Sequence, residues 1–165
     1  MDKKERFKQT LRMIESSGGR NTIPDESTSS GRAGGAYQMT PGTVQSLPQR
    51  LKNRGMDIDP QVEALSQNPD YESIRNQLNS NPELDERVGN AQTGLELNSA
   101  NDDILKAAYL HHMGMGKPAP ESLEELNKTN DPDYLKKFLD NYSQTSPDTN
   151  ILDRGKFNRL KGKMK

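Results

Sequence analysis

The placement of proline constrains this chain more than any other feature. Thr40-Pro41, Asp59-Pro60, Asn68-Pro69 and Asn81-Pro82 each put a proline directly after a residue that can cap a helix. Proline lacks the amide proton that a helix interior uses, but its fixed φ suits the first helical position. The residue ahead of it is pushed toward extended backbone. Each pair therefore reads as a turn followed by a helix start, and together they cut the middle of the chain into short helices. The first piece carries Val44 and Leu47. Pro48 reads as the restart of a second short helix, which holds Leu51 and closes at Gly55. From Pro82 to about Ser99, Leu84, Val88, Ala91 and Leu95 recur at helical spacing.

The flanks are also helical in pattern. Phe7, Leu11 and Ile14 recur at i, i+4 and i+7 and define one buried stripe over about Lys3 to Ser16, with Gly18-Gly19 as its stop. Asn101-Asp102 reads as the cap of a helix with Ile104, Leu105, Ala108 and Met113 in the core. A last helix from about Pro132 to Tyr142 offers Leu135, Phe138, Leu139 and Tyr142. Between the first two helices, Arg20 to Arg32 is a Ser/Thr/Asn/Asp-rich loop, and residues 35–39 read as a brief extended or hairpin segment. The pattern predicts a mainly α, single helical domain over residues 1–142 and a polar, basic tail over 143–165. That tail ends in Arg154, Lys156, Arg159, Lys161, Lys163 and Lys165. It reads as solvated, with contact to an acidic surface as the alternative. Only 29% of the 165 residues are hydrophobic and none is tryptophan, so the core is expected to be small.

Several function classes lose their support at this point. The 23 basic and 24 acidic residues leave a net charge of −1, which calls for neither nucleic acid nor an anionic membrane as partner. With no cysteine, disulfides and thiolate metal sites are excluded. No apolar run approaches the roughly 20 residues of a membrane span. The N-terminus, Met1-Asp2-Lys3-Lys4-Glu5-Arg6, is charged but is followed by no apolar stretch, so it is not a secretion signal. If the chain is complete, ordinary secretion does not carry it to its site of action. His111-His112 looks like a metal pair, but neighbouring helical residues diverge by about 100° and cannot easily share an ion. No metal site or cofactor is expected, and no phosphate-binding glycine loop or Ser-His-Asp arrangement is apparent.

Glu15 stands out on physical grounds. It borders the apolar stripe of its helix and lies in the last turn, where the helix dipole is negative. Partial burial and the dipole both disfavour an ionised carboxylate. A carboxylic acid that keeps its proton is what a glycosidic oxygen needs as a donor. Position alone fits a surface glutamate at a frayed helix end better than it fits a catalyst.

Three segments change that weighting. Glu15-Ser16-Ser17-Gly18-Gly19 is followed by Ser29 to Thr43, which contains Gly35-Ala36-Tyr37-Gln38-Met39 and Thr40-Pro41. Over roughly residues 7 to 45 this resembles the core of soluble lytic transglycosylases and phage virion transglycosylases. There, a Glu-Ser pair ends a helix, a Ser/Gly-rich loop follows, and a Gly-Leu-Met-Gln or Gly-Leu-Phe-Gln segment precedes a helix start. Ala36 and Tyr37 stand where Leu and Met or Phe are usual. Downstream, Ala108-Tyr109-Leu110-His111-His112-Met113-Gly114-Met115-Gly116 resembles the Ala-Tyr-Asn-Ala-Gly motif of cellular enzymes. It fits better the Tyr-Leu-x-His-Phe-Leu-Gly-x-Gly segment of phage tail-associated enzymes. Leu110 replaces the usual Asn. The three elements cover about half of the chain, and residues 48–80 match no pattern.

The resemblance implies a lysozyme-like helical fold and a peptidoglycan lytic transglycosylase. Its single acid, Glu15, would protonate the oxygen between N-acetylmuramic acid and N-acetylglucosamine. As a carboxylate it would then deprotonate the muramoyl 6-hydroxyl, which closes onto C1 as a 1,6-anhydro sugar without consuming water. The resemblance places Tyr109 near the glutamate, Ser16 in positioning it or the substrate, and Gln38 on the substrate. Tyr37 and Met39 line the cleft or face the core; His112 borders the cleft. It further implies peptidoglycan glycan strands as partner and action at the bacterial cell wall; as an isolated domain the chain is expected to be a monomer, and the lack of a Sec signal fits a virion-associated or injected enzyme. A second carboxylate across the cleft, Asp25 or Glu26, would instead make the enzyme an inverting muramidase, although acids in such a loop also read as solvated charges. A binding or virion structural protein that keeps the fold is the reading from outside enzymology.

Overall fold

A computed structural model of the chain describes residues 2–18, 30–114 and 132–144. Among them are seven helices: α1 (Lys3–Ser16), α2 (Pro41–Asn53), α3 (Pro60–Ser66), α4 (Tyr71–Ser80), α5 (Pro82–Ser99), α6 (Ile104–Met113) and α7 (Pro132–Gln144). The mainly α class is as expected, and no strand occurs among the described residues. None of the described helices is long and apolar enough to cross a membrane. Of the tail read over 143–165, residues 143 and 144 belong to α7, and 145–165 lie outside the described residues. Two compact units make up the chain: Glu15–Leu95, and Met1–Ile14 with Glu96–Lys165.

The proline punctuation sets the helices of the Glu15–Leu95 unit. Thr40 caps α2, its hydroxyl accepting from the Thr43 amide at 3.4 Å, and Asp59 caps α3, accepting from Gln61 at 2.8 Å. Two helix starts differ from those the prolines predict. Pro48 does not restart a helix but lies inside α2. Its missing amide and ring clash cost about 3 kcal/mol. However, Val44, Leu47 and Leu51 lie on one buried face across the proline, and each is worth roughly 1.5–3 kcal/mol. Burial wins, and the helix runs on to a Gly55 stop: the Gly55 and Met56 amides donate to Lys52 and Leu51, at 3.0 and 2.9 Å. Asn68-Pro69, in turn, precedes α4 by two residues, because Asp70 takes the cap with bonds from Glu72 and Ser73. Val62 and Leu65 of α3, Ile74 and Leu78 of α4, and Leu84, Val88 and Leu95 of α5 complete this core.

Asp59 also reaches Arg87 of α5 at 2.7 Å. The guanidinium, as hydrogen-bond donor, holds the Asp59 carboxyl below its ordinary range, and the aspartate in turn raises Arg87. A carboxyl lowered by folding stabilises the fold above its unfolded pKa and loses that contribution as pH falls through the folded value. Asn is an equally good cap, so Asp59→Asn removes only the charge. Thermal melts should show wild type above Asp59→Asn near neutral pH. The gap should close as pH falls below about 4, the ordinary carboxyl value.

In the second unit, α1 contributes Phe7, Leu11 and Ile14, α6 contributes Ile104, Leu105, Ala107, Ala108 and Leu110, and α7 contributes Leu135, Phe138, Leu139 and Tyr142. The Phe138 ring lies 5.7 Å from both Phe7 and Tyr142, and the Arg6 guanidinium stacks 3.8 Å over Tyr142. The cap expected at Asn101-Asp102 belongs instead to Asp103, which accepts from the Leu105 and Lys106 amides. Asn101 and Asp102 both take left-handed φ, 51° and 62°. Their amides donate to Asn98 and Leu97, so the two residues finish α5 and do not start α6.

Candidate functional site

Of the extended and hairpin forms left open by the sequence, residues 35–39 take the hairpin-like one. They form a tight turn closed by one antiparallel bridge between Gly34 and Met39, with 3.0 Å bonds in both directions. Gly35 and Gln38 have positive φ, 74° and 50°. The turn is bolted to α4 and α5 by side chains. Asn79 accepts from the Gly35 amide at 2.8 Å, Asp85 Oδ2 accepts from the Ala36 amide at 2.9 Å, and Arg75 Nε donates to the Ala33 carbonyl at 3.2 Å. A Cβ on Gly35 would lie 1.9 Å from Asp85 Oδ1, so only glycine accommodates both the φ and the carboxylate beneath it.

The end of α1 meets this turn. Ser16 is 2% exposed, and its hydroxyl donates to the Ala36 carbonyl at 2.6 Å. Glu15, the preceding residue, is half-buried in the last turn of the helix. The two halves of the upstream motif, 20 residues apart at Ser16 and Ala36, are thus joined by a hydrogen bond inside the Glu15–Leu95 unit. Ser16→Ala leaves the Ala36 carbonyl buried without that donor, which costs about 1–3 kcal/mol. Urea unfolding of the variant measures this loss.

The turn side chains divide between core and surface. Tyr37 is fully buried: its hydroxyl donates to Glu86 at 2.9 Å and its ring lies against Gly89, where a Cβ would meet Cε2 at 2.1 Å. Met39 is 3% exposed. Of the two positions open to them in the sequence, both take the core. Gln38 is partly exposed, and its Nε2 donates to the Gly35 carbonyl at 3.0 Å. Thus Gln38 is the member of this segment with side-chain surface to offer a ligand.

Tyr109 and His112 belong to α6, in the other unit. Tyr109 is half-buried; His112 is exposed, its ring stacked 3.9 Å from Tyr134 of α7 at 10°. His111 turns inward, with Nδ1 2.9 Å from the carboxylate of the fully buried Glu96. The adjacent imidazoles therefore serve different partners, as their angular separation on a helix requires. Asp25 and Glu26, the candidate second carboxylates, and Met115 and Gly116 of the downstream motif lie outside the described residues.

Sequence reasoning missed Asn79, Arg75, Asp85 and Glu86, which hold the turn, and Glu96, which holds His111. One signal was present. Asp85, Val88, Gln92 and Leu95 recur at helical spacing, so Asp85 lies on the apolar stripe of α5, where a carboxylate needs a hydrogen-bonding partner. One partner, the Ala36 amide 49 residues away, left no trace in local pattern. Comparisons with protein-family models, with curated proteins and with solved structures find no match to this chain.

Proposed function

We propose that the protein is a peptidoglycan lytic transglycosylase with Glu15 as the single proton-transfer group. The observation that carries this reading is the Ser16 to Ala36 hydrogen bond, which brings the Glu15-Ser16 pair against the Gly35–Gln38 turn. By the resemblance, Glu15 is the acid and Gln38 stands at a substrate-contacting position. The Gln38 side chain is polar and partly exposed.

The chemistry needs one carboxyl. The Glu15 acid gives its proton to the oxygen linking N-acetylmuramic acid to N-acetylglucosamine as the C1–oxygen bond breaks. The Glu15 carboxylate then takes the proton of the muramoyl 6-hydroxyl while that oxygen bonds to C1. The acid is restored and no water enters. The resemblance assigns substrate contact to Tyr109 and His112, and glycan strands of the bacterial wall are the substrate. A paired-carboxylate hydrolase requires a second acid holding a water, a role open to Asp25 or Glu26. The test is incubation of the full chain with purified sacculi. Soluble fragments ending in 1,6-anhydro sugar support the proposal. Sedimentation with sacculi and no release points to a binding protein.

A further inference from the structure

We propose that Asp85 is a positioning residue for Glu15, acting through the backbone of Ala36 and the hydroxyl of Ser16; this rests on the transglycosylase reading above. Asp85 is only 6% exposed, on the face of α5 that carries Val88 and Leu95. Burying a carboxylate there is costly unless it is hydrogen-bonded, and its Oδ2 takes the Ala36 amide at 2.9 Å. The same residue offers its carbonyl to Ser16 at 2.6 Å. Ala36 is thus clamped from both sides: α5 fixes its N–H, and its C=O fixes the end of α1. Gly35 leaves the space that Asp85 occupies, since any Cβ there would overlap Oδ1. The clamp reaches Glu15 through one peptide bond, and a displacement of about 1 Å in a proton donor is worth on the order of 10²-fold in rate.

The experiment measures sacculus digestion by wild type, Asp85→Leu, Asp85→Asn, Glu15→Gln and Leu65→Ala. Leu65 is a buried apolar side chain of α3 that cannot hydrogen-bond the turn, and it serves as a destabilised comparator. Asp85→Leu keeps approximate shape and loses the acceptor; Asp85→Asn keeps an acceptor oxygen. The expected result is a loss of about 10²-fold in kcat for Asp85→Leu with KM nearly unchanged. Asp85→Asn should recover most of it. Leu65→Ala should keep turnover when assayed well below its Tm. If Asp85→Leu does not fold, Gly35→Ala, which drives a Cβ into the carboxylate, should give the same kcat loss. Amide exchange at Ala36 should accelerate in Asp85→Leu and in Gly35→Ala but not in Leu65→Ala.

An Asp85→Leu enzyme that turns over within twofold of wild type while Glu15→Gln is dead overturns the positioning role and leaves the transglycosylase reading standing. Equal kcat losses in Asp85→Leu and Leu65→Ala also overturn it, by reducing it to a stability effect. A wild type that releases no fragments overturns the reading and this inference with it.

Discussion

Glu15→Gln is expected to lower fragment release from sacculi by at least 10²–10⁴-fold, roughly the range contributed by general acid–base catalysis. The carboxamide cannot give a proton to the leaving oxygen, and it cannot accept one from the 6-hydroxyl afterwards. Both halves of the reaction fail at one atom, so the upper end of the range applies. Glutamine has nearly the same volume and the site is half-buried, so the variant should unfold close to the wild-type temperature and still sediment with sacculi. Loss of release with retained binding and stability assigns the defect to proton transfer. Release at wild-type rate would remove Glu15 from the chemistry.

Gly89→Ala should markedly destabilise the Glu15–Leu95 unit although it adds only one methyl group. Two forces oppose each other. Alanine in a helix interior is favoured over glycine by about 1 kcal/mol. Against that, the new Cβ would lie 2.1 Å from Tyr37 Cε2 and 2.3 Å from Cδ2. The ring has little freedom to retreat, being fully buried with its hydroxyl on Glu86. Forcing extra volume into a packed core costs about 1–3 kcal/mol, and here the overlap falls on two ring atoms at once. The clash should win, with Tm falling by roughly 2–4 °C for each net kcal/mol lost. Activity should fall as well, since Tyr37 adjoins Ala36, the residue held by Ser16 and Asp85. A Gly89→Ala protein more stable than wild type would show that the helix propensity term dominates and that the Tyr37 ring has room.

The helices were largely legible because their signals are local. Prolines after capping residues marked the starts of α2, α3 and α5 within the sequence itself, and apolar spacing marked α1 and α7. Errors arose where a distant surface decided. Pro48 would break an isolated helix, yet it survives because Val44, Leu47 and Leu51 bury on one continuous face. Asn101 and Asp102 look like caps and serve as the left-handed end of the preceding helix, a difference set by φ and not by composition. The turn at 35–39 followed the same rule. Its glycines were visible, but the carboxylate and amide from α5 and α4 that shape it depend on pairings 44 and 49 residues apart. Tyr37 shows the limit most clearly. Its motif position suggested a cleft and core equally, and Gly89, a helical glycine with no local reason to be there, is what makes room for it in the core.

The most direct test of the central proposal is digestion of sacculi by the wild-type chain in water enriched in oxygen-18, followed by mass spectrometry of the released muropeptides. An intramolecular closure by the 6-hydroxyl predicts terminal muramic acid residues lighter than a reducing end by one water and carrying no solvent oxygen. Newly released reducing ends labelled with oxygen-18 beyond the level in a Glu15→Gln control would contradict it, since water and not the 6-hydroxyl would then attack C1 and the enzyme would be a muramidase.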